Sequence, residues 1–179
     1  MKTDERQESR ITVSRAKVLA ISAIFAAMIA VGGFISIPLI PIPLTLQTFF
    51  VYLGTLKLRR NAFIGVGVYL GMGLVGMPVF ANGLAGYSVL IGPTGGFLIG
   101  FLVGSIIAGR IPIGIPTKSS RLLPLLVCAL TIFTFGWLWL SYWMGGSLIG
   151  ALLVGVLPFL PGDMAKIFLA LVIDKKLDV

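Results

Sequence analysis

Asp163 and Lys166 are the one charged pair set well inside an apolar stretch of this 179-residue chain; the other charges gather at the ends of such stretches. Their spacing of three residues puts both on one face of a helix. An ionised carboxylate near the middle of a membrane helix costs roughly 2.5–3.5 kcal/mol on insertion scales, and such groups usually line a substrate path or a water-filled cavity. Helix onset near Pro161 adds a partial positive charge beside the carboxylate. The plainer alternative is an ion pair that only fixes helix packing, in which case Asp163→Ala would harm folding more than ligand binding.

Other polar groups cluster in three places. The segment 37–48 (IPLIPIPLTLQT) joins a proline-stiffened backbone to Thr45, Gln47 and Thr48. Thr45 suits a helix cap, whereas Gln47 in an apolar helix needs a hydrogen-bond partner, a need that a polar ligand could meet. The stretch 77–91 carries no charge but holds Asn82, Tyr87 and Ser88, and the runs 76–86 and 92–96 are dense in glycine, which lets backbone approach a neighbour or a ligand closely. Gly95-Gly96 lacks the Gly-Lys-Ser/Thr ending of a phosphate-binding loop. With no histidine and Cys128 as the single cysteine, zinc sites, haem ligation by histidine, disulfides and Cys/His nucleophile pairs are excluded.

The elements that must position these groups are membrane helices. The chain is 58% hydrophobic and 11% charged, with mean hydropathy +1.07, values that a soluble domain does not tolerate. A span needs about 20 apolar residues, so the chain has room for a single membrane domain, 18–179, after a polar tail, 1–17. Apolar runs at 18 to 37, 44 to 56, 62 to 77, 93 to 110 and 122 to 143, with a last one at 148–173 broken by Pro158, Pro161 and Gly162, predict six transmembrane helices. The first run lacks a small-residue cleavage site and reads as a retained helix. The second is short and begins within the outer leaflet; the stretch after the third is an outer loop that dips back. All but one of the 14 Lys and Arg fall on one side of this arrangement, the exception being Lys166, which places both termini in the cytoplasm. The net charge of +8 therefore reports topology, not nucleic-acid binding. Trp137, Trp139, Tyr142 and Trp143 mark the outer interface. Ala23 and Ala27, with Ala26 and Ala30 beside them, form small-xxx-small rows on which another membrane helix can lie.

Four motifs in order, IPLIPIPLTLQT at 37–48, YLGMGLVGMPVFANGLAG at 69–86, GPTGG at 92–96 and LPFLPGDMAK at 157–166, resemble the BioY family, the biotin-specific S components of energy-coupling factor (ECF) transporters. The resemblance runs from the first span through the sixth. It implies an all-α integral membrane protein of six helices that holds the vitamin near its outer face, between the loops after spans one and three and the last helix. It puts Thr45, Gln47, Asn82, Gly83, Tyr87, Asp163 and Lys166 at the biotin pocket, with Val79, Phe80, Gly92, Thr94, Gly95 and Gly96 as its wall. Asp163 and Asn82 then pair with the ureido edge while Lys166 donates to a ligand oxygen, in charge-assisted bonds that low dielectric strengthens.

A high-affinity vitamin-binding subunit of a prokaryotic cell membrane needs an energy source, and the chain has no GxxxxGK[ST] sequence. The resemblance supplies one: a transmembrane coupling subunit (T component), contacted through Ala23 and Ala27, and two ATPase subunits. Biotin is cargo here, so no cofactor and no enzymatic activity are expected. Three alternatives remain: an S component for another vitamin, a non-transporting structural subunit, and an intramembrane enzyme using Asp163 as base, for which a second catalytic group other than Lys166 is hard to find.

Overall fold

The fold, taken from a computed structural model, is described for residues 2–113 and 118–177, and for side chains from residue 15 onward except 118, 119 and 177. Pro116 of the expected cytoplasmic link, the Lys118 side chain and the side chains of the polar tail before Arg15 lie outside that description. Helix α1 spans Lys2–Phe34 without a break. Two short strands follow, β1 (Ser36–Ile37) and β2 (Leu44–Thr45), paired antiparallel with Ser36 opposite Thr45. The prolines at 38, 41 and 43, which cannot donate to a ladder, all sit in the connection between the strands.

The remaining elements are helical. Helix α2 (Gln47–Leu58) stops at Arg59, whose φ of 54° breaks the helical path. A 3-10 turn (Arg59–Asn61) leads into α3 (Ala62–Leu74), which ends just before Gly76 enters the left-handed region at φ 96°. A second 3-10 turn (Ala81–Gly83) and the five-residue α4 (Tyr87–Ile91) form the next connection. Helix α5 (Gly95–Arg110) gives way at Ile111, forced into extended backbone by Pro112. Helix α6 spans Lys118–Trp143, α7 Leu148–Gly155 and α8 Leu160–Leu177. Ser147 caps α7 by accepting from the Gly150 amide at 3.1 Å. Pro161 sits at the second position of α8, where its missing N–H costs nothing.

Two helical segments, Arg15–Phe34 and Ser120–Trp143, are long and apolar enough to cross a bilayer alone, and α7 with α8, bent by 51° at their break, make a third when taken together. Helices α2, α3 and α5 have 12, 13 and 16 residues, short of the roughly 20 that a straight crossing needs. Large apolar side chains such as Ile24, Leu130, Leu153 and Phe168 face outward, which suits acyl chains as the surrounding medium.

The first span was expected to run to residue 37 and the third to residue 77. Helix α1 instead ends at Phe34, where strand pairing takes over, and α3 ends at Leu74, where the backbone turns at Gly76. The proline segment is a loop closed at its base by the pairing of β1 with β2. The broken last stretch divides where the prolines predict, between Gly155 and Leu160.

Glycine sets the closest helix approaches. On α5 an added Cβ at Gly96, Gly100 and Gly104 would fall 2.2, 2.8 and 3.1 Å from Trp139, Ile132 and Cys128 of α6, so this i, i+4 row lets the two backbones touch. Gly73 of α3 gives its missing side chain's space to the buried ring of Phe80, 2.1 Å from where a Cβ would stand, whereas nothing lies within 4 Å of such an atom at Gly71. Gly73→Ala is therefore expected to destabilise the protein by about 1–3 kcal/mol through overpacking, and Gly71→Ala to be neutral or stabilising by up to about 1 kcal/mol. Thermal unfolding in detergent checks this, and equal melting temperatures for the two variants would refute it.

Candidate functional site

Asp163 lies in the first turn of α8, where the helix dipole favours a carboxylate. Its side chain is nearly sealed from solvent, and three groups meet it. Thr48 Oγ1 donates to Oδ1 at 2.8 Å, the Tyr52 hydroxyl donates to Oδ2, and Lys166 Nζ donates to Oδ1 at 3.3 Å. Lys166 also donates to Thr48 Oγ1 at 2.9 Å, so the threonine hydroxyl bridges both charges. A carboxylate offers about four lone-pair sites and an ammonium three donors; the protein therefore leaves one of each unused.

Next to this triangle stands a second polar cluster. The Gln47 amide nitrogen donates to the Tyr69 hydroxyl at 2.5 Å, and Thr45 Oγ1 donates to Gln47 Oε1 at 3.2 Å while accepting from the Gln47 backbone N–H at 3.3 Å. Thr45 thus closes the local turn into α2, as a cap would. Gln47, buried against Gly33, has a protein partner at both its amide nitrogen and its amide oxygen.

Both clusters open on one cavity of about 450 Å³, a size typical of small-molecule sites. Its floor and sides come from the proline connection, the start of α2, the 81–94 segment and the first turns of α8, and Phe97, Phe101, Phe133 and Phe159 give it an aromatic wall. Asn82, held in left-handed conformation at φ 58°, lines the cavity from the 3-10 turn and accepts at Oδ1 from the Ser36 hydroxyl at 2.6 Å, which leaves its NH2 without a partner among the described residues.

Of the residues singled out in the sequence, Thr45, Gln47, Asn82, Asp163, Lys166, Phe80, Gly92 and Thr94 line this cavity. Five others do not. Tyr87 is 70% exposed and lies outside the lining, and Gly83 supplies a turn at φ 72° under the ring of Phe34. Val79 is buried behind the wall; Gly95 and Gly96 serve close contacts with Leu90 and with α6. Ala23 and Ala27 lie on the outward face of α1, whereas Ala26 and Ala30 are buried in the core.

Reasoning from sequence passed over Tyr52 and Tyr69, although a tyrosine inside an apolar span announces a buried hydroxyl that needs a partner. It noted Thr48 without a role. The three tryptophans, read as interface anchors, also tie the α6 end to its neighbours: Trp139 and Trp143 donate to the carbonyls of Gly92 and Ile91 at 2.9 and 3.0 Å, and Trp137 to that of Leu148 at 2.8 Å. The cavity rim at Gly92 is thereby fixed from outside.

Comparison with known proteins matches nearly the whole chain. A family model described as the BioY family covers residues 4–178. A protein of Pyrococcus horikoshii described as a probable biotin transporter BioY is 37% identical over 164 residues, covering 91% of this chain and 97% of its own. The Thermotoga maritima protein described as biotin transporter BioY is 37% identical over 162 residues, covering 88% and 95%. A crystal structure of the S-component for biotin from an ECF-type ABC transporter superposes with a TM-score of 0.81 at 30% identity and 92% coverage of each chain. On the length and identity of these matches, the chain belongs to the BioY family.

Proposed function

We propose that the protein is the biotin-binding S component of an ECF-type vitamin importer, and that biotin occupies the cavity beside Asp163 and Lys166. The observation that carries this reading is the Asp163–Thr48–Lys166 triangle, which keeps one acceptor site and one donor unused in a largely apolar cavity. Biotin offers a ureido ring with two N–H donors and one carbonyl acceptor, an apolar thioether ring and a carboxylate tail. The free acceptor site of Asp163 takes a ureido N–H. The amide of Asn82 and the third N–H of Lys166 supply donors for ligand oxygens, and the phenylalanines enclose the sulfur ring.

The wider assembly follows from the same reading. The six apolar stretches are six crossings with both termini in the cytoplasm; the short α2, α3 and α5 reach the bilayer surfaces through the connections at their ends. The protein resides in the cell membrane as a multi-pass subunit, and the outward Ala23 and Ala27 face of α1 meets a transmembrane coupling subunit that works with two ATPase subunits. The name of the structural relative, an S-component from an ECF-type ABC transporter, supports this assignment.

Removing a single charge from the buried pair strands the other at a cost of about 3–5 kcal/mol, so the informative variant removes both. Asp163→Asn combined with Lys166→Met is expected to stay folded and bind biotin at least 100-fold more weakly by calorimetric titration in detergent; undiminished affinity would reject the pocket. Thiamin and riboflavin, titrated in parallel, should give no heat, and tight binding of either would favour an S component for another vitamin.

Thr48→Val removes the bridge while leaving both charges in place. Biotin affinity should drop roughly 10- to 150-fold, in line with the loss of a hydrogen bond to a charged group, about 1.5–3 kcal/mol. Wild-type affinity in this variant would mean that Lys166 is positioned without the threonine.

A further inference from the structure

At the end of the molecule opposite Asp163, the turn between α2 and α3 meets the last residues of α5. We infer that the pocket formed there by Arg59, Arg60 and Arg110 is a binding site for the phosphodiester headgroup of an anionic membrane lipid. The pocket, about 410 Å³, is also lined by Asn61, Gly109 and Pro112.

The charge balance favours an anion. Three guanidinium groups stand against the C-terminal ends of α2 and α5, each equivalent to about half a negative charge, while the start of α3 contributes about half a positive one. The remainder is about +2.5. Asp174, the acidic group nearest this end among the described residues, has its carboxylate oxygens occupied by Lys57 at 2.9 Å and Arg121 at 2.6 Å. Arg59 gives Nη2 to the Ile111 carbonyl, but its enclosed Nη1 has no acceptor among the described residues. Among the described residues, Arg110 is bonded only to the Ile106 carbonyl of its own helix, at 2.8 Å.

The backbone is built to hold this corner. Arg59 adopts φ 54° and ψ −124°, an unfavourable region for a residue with a side chain, and its carbonyl oxygen would lie 2.3 Å from a Cβ at Gly109. The two backbones are thus in contact, and the arginines are brought to one point at a local conformational cost.

A lipid fits better than a free anion because apolar surface continues from the pocket. Ile107 precedes Arg110 by three residues on α5 and so shares a helical face with it, Phe63 follows Arg60 by three across the turn into α3, and both apolar side chains are exposed. A phosphate held by the guanidinium groups therefore sends its acyl chains along Phe63 and Ile107. Basic pockets between membrane helices are suited to such headgroups.

The test uses the detergent-solubilised full chain and native mass spectrometry, with phosphatidylglycerol, phosphatidylcholine and inorganic phosphate as probes. Wild type is expected to retain phosphatidylglycerol over phosphatidylcholine by tenfold or more and not to retain phosphate. The variant R60Q/R110Q should lose the preference, at roughly fivefold for each arginine removed, whereas K175Q/K176Q, which removes equal charge outside the pocket, should keep it. Equal retention of the two lipids by wild type, equal loss in both double variants, or phosphate retained as well as lipid would each overturn the assignment. Biotin titration of R60Q/R110Q reports on the other cavity, so a failure of the vitamin reading is seen separately.

Discussion

A carboxylate taken out of water must find its hydrogen bonds inside the protein, and the architecture around Asp163 follows from that requirement. Desolvating the charge costs several kcal/mol even after relaxation. Recovery requires Tyr52 and Thr48 from α2 together with Lys166 one turn along α8. These contacts exist only if the first turns of α2 and α8 lie side by side at the same depth. The antiparallel pairing of Ser36–Ile37 with Leu44–Thr45 brings the chain back to start α2 at that level, and the break between α7 and α8 allows α8 to begin there, with its positive dipole end at the carboxylate.

With biotin in the cavity, as proposed, the same low-dielectric setting would make it selective. An aromatic wall strengthens each polar contact at the triangle by excluding water, and an occupant that fills the space without offering both a donor and an acceptor leaves the unused sites of Asp163 and Lys166 dry and unpaired. Such a mismatch costs more than a missing contact in water. Specificity at this site therefore comes as much from penalising the wrong ligand as from rewarding the right one.

How much of this was legible in the sequence depended on whether a residue's environment was set by its own stretch of chain. Asp163 and Lys166 declare themselves because charge inside an apolar run has few explanations, and the division of the last stretch follows from Pro158 and Pro161. The tyrosines were harder: Tyr52 and Tyr69 look like ordinary apolar bulk until another helix brings a carboxylate or an amide to their hydroxyls. Glycine was ambiguous for a physical reason. A missing side chain admits a ligand or a neighbouring backbone equally well, and at Gly96 the neighbour is Trp139 of α6. The outward turn of Tyr87 depends on the left-handed Gly86 at φ 88° just before it, a conformation that residue type permits but does not dictate.

Helices α2 and α8 are joined at both ends. At one end Thr48 and Tyr52 meet Asp163 and Lys166; at the other Lys57 meets Asp174, where Arg121 of α6 adds a third helix to the junction. Separating the pair would strip Asp163 of Thr48 and Tyr52 and Asp174 of Lys57 at once, leaving Lys166 and Arg121 as the charged partners of the two carboxylates. The segments that cover the cavity, 38–45 and 81–92, are held more lightly, by the two-residue strand pair, single turns and the indole bonds of Trp139 and Trp143. On the proposed reading, admission of biotin would cost least if these covering segments moved and the α2–α8 frame stayed shut, which would keep the polar triangle assembled before the ligand arrives and spare binding the cost of ordering it.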